Sequence, residues 1–440
     1  MSTLTTLDTG GPRRPRLAPD FVPGPVTASS PASYSLPAVA AGQRALARAW
    51  LWLALAALVG SGLFSVLLVL ARTPGVNARL PAGDFFRVAL VVHVDLSVLV
   101  WFVAIAGLLW SLNLRPARSR AGAALARLPL LLVLQSLARA LPVGPAVDGA
   151  GALRFGLHAS VVAAAVALLA FAWSLAVVPT ALAGKAYYEI LFWGGGHALQ
   201  FTWTLLMLAG WLWLATALGL RVPLSPRVAL LVFTIALASV FVTPAIYIAH
   251  PVASVEHHKL QTWLMRFGGG LAIPPILLAL LWSMRRLPSL DAAKRPIFGA
   301  LAASIGLFAA GGLIGFAISG PNVKIPAHYH GCIVGVTLAF MGLAYHLLPK
   351  LGFATPESRL AAWQPWLYGG GQLAHIVGLV WSGGYGVERK VAGAAQVLRT
   401  PQEVAGMGLM GLGGLVAILG GLAFVIVVIG ALRRREAFAR

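Results

Sequence analysis

Pro326-Ala-His-Tyr-His-Gly331 opens an apolar run, Ile325 to Leu348, long enough to cross a bilayer. On a helix advancing about 100° per residue, His328 and His330 point about 200° apart, to opposite faces. Two imidazoles on opposite faces of one buried helix suit two separate metals or hemes, one per face. A single zinc ion would want i, i+4 spacing on a common face. For an isolated His–X–His, a hydrogen-bonded core histidine beside an interfacial one is an equally good reading. The company the pair keeps decides between them.

That company is a membrane protein. The 440 residues are 59% hydrophobic and 10% charged, with mean hydropathy +0.85, and apolar runs of 20 or more residues recur along the chain. The formal charge of +21 resembles that of a nucleic-acid binder. Its basic residues, however, fall in short loops and tails, where they act as topology signals and contacts for lipid headgroups. No nucleic-acid partner is implied. Cys332, the one cysteine, lies mid-span and cannot form an internal disulfide, so thiols carry neither metal nor redox chemistry.

The fold class is therefore all-α, a polytopic transmembrane helical bundle. Ten spans stand out: 47–71, 85–111, 157–178, 189–217, 227–249, 262–284, 295–318, 325–348, 362–382 and 405–432. Segment 121–142 is interrupted by Arg127, Pro129 and Arg139, and a mid-membrane arginine is expensive. Residues 1–43 are rich in Pro, Ala, Ser and Thr, include Arg13, Arg14 and Arg16, and read as a disordered tail. Residues 44–434 form the transmembrane domain, and 435–440 a cytoplasmic tail. The tail, the 112–156 region (Arg115, Arg118, Arg120, Arg127, Arg139, Arg154), the 285–295 loop (Arg285, Arg286, Lys294, Arg295) and Arg433-Arg434-Arg435 all belong on the cytoplasmic side. These assignments agree only if 121–142 does not cross.

With that topology seven of the ten histidines share one level near the outer surface: His93, His197, His250, His257, His258, His328 and His330. Histidines clustered inside spans read as functional. His158 and His346 fall near the inner side, and His375 reads as a packing or hydrogen-bonding residue. A six-coordinate heme needs two axial imidazoles from facing helices, which His93 and one of the His–X–His pair can supply. The other can hold a second heme with an open site. His197, with His250, His257 or His258, can hold copper or non-heme iron above it.

On these residues the chain resembles the catalytic subunit of the heme-copper oxidase superfamily, which includes subunit I of cytochrome c oxidases, the cbb-type oxidases and the nitric oxide reductases. Ala327-His328-Tyr329-His330 opening its helix is the strongest match, and Trp193-Gly194-Gly195-Gly196-His197 matches the stretch carrying the first ligand of the second metal. The resemblance implies His328 as proximal ligand of a high-spin heme, and His330 with His93 as ligands of a low-spin heme. It implies two b- or a-type hemes with copper or non-heme iron, and Arg389-Lys390 holding heme propionates. It further implies a bacterial cytoplasmic (inner) membrane, a cytoplasmic N-terminus, and a periplasmic donor of cytochrome c or cupredoxin type acting through a second subunit.

The departures are informative. The family has twelve core spans, and the shortfall here lies between the His93 and His197 helices. The family's adjacent His pair closes a helix about fifty residues after the first ligand of the second metal. Here His257-His258 come sixty residues after His197, while His250, at fifty-three, sits at a helix end. Either a longer loop still brings the pair in, or His250 replaces it. The oxidase's cross-linked tyrosine is missing: Phe201 stands four residues after His197. Tyr247, one turn before His250, is a catalytic substitute or a packing residue. Reducing O2 to water takes four electrons, one normally from that tyrosine, whereas coupling two NO to N2O takes two, so NO is favoured on mechanism. Asp95, Glu189 and Glu256 lie toward the outer side, and no acid or lysine sits in the inner half of a span, so protons come from outside. The reading is a terminal oxidoreductase acting on NO or O2. A heme-bearing electron-transfer or sensing protein without turnover is the alternative.

Overall fold

The computed structural model describes residues 32–37, 40–79, 83–115, 119–144 and 147–434. The predicted tail up to Pro31 and the 435–440 tail lie outside the described residues, as do Arg118 and Arg435. Twelve helices follow in chain order: α1 (Ala41–Leu70), α2 (Phe85–Leu112), α3 (Arg120–Leu125), α4 (Pro129–Arg139), α5 (Gly149–Val177), α6 (Gly184–Ala217), α7 (Pro226–Ala249), α8 (Val255–Met284), α9 (Lys294–Phe316), α10 (Lys324–Lys350), α11 (Arg359–Gly384) and α12 (Pro401–Arg433). Among the described residues nine of these are long and apolar enough to cross a membrane. At 26 residues α11 matches them in length, but it carries Gln364, Gln372 and His375.

The helices alternate in direction, so loops gather at two ends. At the end holding both termini, Gln43 Nε2 donates to Leu114 O (2.7 Å), Arg48 Nε to Leu351 O (2.7 Å), and Ala354 N to Arg434 O (3.0 Å). Tyr34 is fully buried there and donates its hydroxyl to Leu224 O (2.6 Å). Residues 32–37 and the start of α1 are thus part of the fold, and the tail boundary predicted at 43 moves back to the described Ala32. Segment 121–142 does not cross. It breaks into α3 and α4 before Pro129, and Arg115 N→Arg139 O (2.9 Å) with Leu141 N→Asn113 O (2.8 Å) returns the chain to where it left α2.

Several helices start earlier than the apolar runs, because polar first turns continue the helix into the interface. Thus α8 begins at Val255 behind the N-cap Ser254, whose Oγ accepts from His257 N (3.1 Å). His257-His258 therefore occupy a first helical turn, ahead of the 262–284 run read from the sequence.

The histidine-bearing helices α6 and α10 sit at the centre. In each, 83% of the apolar core is buried, against 28–44% for the other seven crossing helices. Trp211 of α6 donates to Ser304 Oγ of α9 (2.8 Å), and Ser304 donates on to Gly335 O of α10 (2.5 Å). Gly311 and Gly331 bring the backbones of α9 and α10 into contact, since a Cβ on Gly331 would collide with Gly311 Cα. Small residues allow this approach where hydrophobicity alone drives no association.

Candidate functional site

His93 lies on α2 just before a π-helical segment, Asp95–Val100, a distortion common at functional sites. Its Nδ1 donates to Ser61 O on α1 (3.0 Å), with Ser61 Oγ at 3.1 Å. A carbonyl oxygen only accepts, so Nδ1 carries the hydrogen and Nε2 keeps a lone pair. His330, on α10, donates Nδ1–H to Gln372 Oε1 of α11 (3.2 Å). His93 and His330 are near enough to interact electrostatically. The ring of His375, also on α11, lies 4.6 Å from that of His330.

His328 faces the other way, as the two-residue spacing requires. Its Nδ1 donates to Gly311 O on α9 (2.7 Å), and Gly315 accommodates the ring, since a Cβ there would come within 2.9 Å of it.

His197, His250, His257 and His258 meet where α5, α6, α7 and α8 converge at the same end. His197 Nδ1 donates to Trp193 O (2.7 Å), His258 Nδ1 to Ser254 O (3.0 Å) and His257 Nδ1 to His250 O (3.4 Å). The Tyr247 ring stands edge-on to buried His257 at 4.6 Å, and its hydroxyl shares a 2.7 Å hydrogen bond with Ser174 Oγ. Gly194 is required here, because any Cβ would collide with that hydroxyl. The Trp193 ring, however, stands 4.7 Å from both His197 and His258. Among the described residues no three His, Cys, Asp or Glu side chains gather closely enough to hold a metal ion. His250 ends α7 and borders an open apolar recess of about 460 Å³ with Ile246, Leu260, Trp263 and Phe267. Among the described residues no hydrogen bond or ring contact joins His328 to this group.

Above the His93–His330 pair, half-buried Arg72 donates to Glu388 O (3.2 Å) and Gln396 Oε1 (3.4 Å). Burial pushes its guanidinium down to about 10, so it is charged at neutral pH, and it interacts with both His330 and His375. Lys390 adopts φ 62°, the sole non-glycine with positive φ among the described residues. Desolvation, with Arg389 and Lys185 nearby, holds its ammonium below the ordinary lysine value, and Glu189 opposes this. Asp95, Glu189 and Glu256 are exposed.

The family model described as Cytochrome C and Quinol oxidase polypeptide I matches residues 149–422. The chain belongs to this family. As a heme-copper oxidase subunit I-type protein it shares its fold with a structure described as a heme-copper terminal oxidase dimer, at TM-score 0.68 and 16% identity over 91% of this chain and 85% of that one. Two curated relatives are themselves uncharacterized. One, from Rickettsia prowazekii (strain Madrid E), is 26% identical over 87% of this chain and 95% of its own length. The other, from Aquifex aeolicus (strain VF5), is 27% identical over 69% of this chain and 85% of its own length. Membership makes the subunit a membrane terminal oxidoreductase and implies heme with copper or iron.

The donor set fits heme. Seven imidazoles of this subunit I-type chain (His93, His197, His257, His258, His328, His330 and His375) commit Nδ1–H to a carbonyl oxygen and leave Nε2 without a protein partner among the described residues. Metal-ligating histidines are oriented in this way. By contrast, His158 Nδ1 and His346 Nε2 are buried with no partner. Among the described residues Arg72 has no carboxylate partner, which suits a bound carboxylate such as a heme propionate. Sequence reasoning missed two residues here. Neither Arg72, just past a helix end, nor His375 has a motif around it.

Proposed function

We propose that this chain is the heme-bearing catalytic subunit of a terminal oxidoreductase of the bacterial cytoplasmic membrane. Electrons enter from a periplasmic cytochrome c or cupredoxin-type donor through a second subunit. His93 and His330 would hold a low-spin heme, and His328 a high-spin heme that would supply the iron for reduction of a diatomic gas. The observation that carries this reading is the shared tautomer of the clustered imidazoles, with Nδ1 tied to carbonyls and Nε2 free. Heme, when bound, supplies one-electron redox chemistry and an iron that can take a gas. Gln372 and the carbonyls of Ser61 and Gly311 fix each ring's orientation, and Arg72 with Arg389 and Lys390 supplies positive charge for propionates.

NO and O2 both suit this frame. The sequence favours NO because Phe201 stands where the oxidase's cross-linked tyrosine is expected. Tyr247, edge-on to His257 and hydrogen-bonded to Ser174, places a phenol within the second histidine group, and this supports O2. His197, His257 and His258 would be the ligands of copper or non-heme iron there, with His250 in support. Closing that site requires Trp193 to move from between His197 and His258. This wedge favours the second reading, a heme protein that carries or senses electrons without turnover.

A reduced-minus-oxidised spectrum of the purified protein, with and without CO and with metal analysis, separates the readings. One low-spin and one CO-binding heme with copper supports an oxidase, and the same hemes with extra iron a nitric oxide reductase. Two hemes and no third metal leave the carrier or sensor. A heme-free protein removes the proposal.

A further inference from the structure

Gln372 and His375 lie one turn apart on α11, and both meet the His330 ring. Gln372 Oε1 accepts from His330 Nδ1 at 3.2 Å, and the His375 ring stands 4.6 Å away, tilted by 53°. The His93–His330 pairing gives His375 no role, yet His375 is oriented as a ligand is. It is buried, and its Nδ1 donates to Met410 O on α12 at 2.9 Å. Since Nδ1 and Nε2 lie on opposite edges of the ring, this bond turns the Nε2 lone pair away from α12. No protein group accepts or donates at that nitrogen among the described residues.

The fold makes room for this ring. A Cβ on Gly413 would collide with His375 N, and one on Gly414 would stand 3.2 Å from its Nδ1. Leucine would fill an apolar helix contact at lower cost than an imidazole with one nitrogen unclaimed. The two rings are also held differently. The partner of His330 is a side-chain amide able to change rotamer, whereas that of His375 is a main-chain carbonyl inside a helix. His375 is therefore the more firmly oriented of the pair.

We propose that two imidazoles, His330 and His375, share one ligand role toward the low-spin heme, and that either would bind its iron together with His93. The inference rests on the reading of His93 and His330 as heme ligands. It gives α11 a part in cofactor binding, and it accounts for two neighbouring histidines on adjacent helices sharing one side of the site.

Electron paramagnetic resonance of the oxidised, heme-loaded full chain tests it, because bis-imidazole low-spin ferric heme has its own g-value pattern. His330→Ala and His375→Ala should each retain a bis-imidazole signal, with g-values shifted in His330→Ala. The double variant should lose that signal while the CO band of the second heme persists. If His330→Ala keeps the CO band but loses the low-spin signal, the inference is overturned. Should His330→Ala lose the CO band as well, His330→Asn, which keeps a polar group facing Gln372, is read by the same criterion. An unaltered protein with no bis-imidazole signal would overturn the underlying ligand reading instead.

Discussion

Tyr247 marks where single-residue chemistry bears on the choice of substrate. Its hydroxyl pairs with Ser174 Oγ at 2.7 Å, in a space that Gly194 leaves open. Tyr247→Phe leaves Ser174 without this partner, and a buried unsatisfied hydroxyl costs about 1–3 kcal/mol. If the phenol supplies an electron and a proton, O2 reduction by this variant falls far more than NO reduction, measured side by side with one electron donor. Equal losses with both gases would make Tyr247 a packing residue. The ligand candidates themselves were legible in the sequence: two histidines two residues apart must diverge on a helix, and an apolar span leaves few other uses for them. His375 was not legible, because its partners, His330 and Met410 O, are brought to it only by helix packing.

Helix contacts set the heights at which these side chains meet. Gly311 and Gly331 let α9 and α10 touch at the level of His328, and Gly371, Gly378 and Gly413 do the same between α11 and α12. Gly331→Val should push α9 from α10 and loosen the His328 Nδ1–Gly311 O bond. The expected destabilisation is about 1–3 kcal/mol or more, read as a lower thermal midpoint in detergent, with the CO-binding heme lost before the low-spin heme. Gly306→Ala, where a Cβ meets open space, serves as the control. Glycines are plain to see in the sequence, but which pairs of helices they join is not. The extent of α8 was misread for a related reason: a polar first turn capped by Ser254 carries no hydropathy signal.

At the scale of the whole molecule, the alternation of ten long helices puts both described ends of the chain on one side. Segment 119–143 is on that side too, held by the pairing of Asn113 and Arg115 with Arg139 and Leu141. Charge counting reached the same conclusion for this segment by parity, without seeing that α3 and α4 double back. Reporter fusions at residues 40, 143 and 434 should all report the cytoplasm, and fusions at 253 and 390 the opposite face. A fusion at 143 that disagrees with those at 40 and 434 would refute this topology.

The spectrum of His93→Ala tests most directly whether facing helices at a common depth hold the hemes. With Ser61 no longer orienting a ring on α2, the reduced-minus-oxidised signal of the low-spin heme should disappear. CO binding at the other heme, tied to α10 and α9 through His328, should remain. Both signals surviving intact would contradict the assignment of His93 as a ligand.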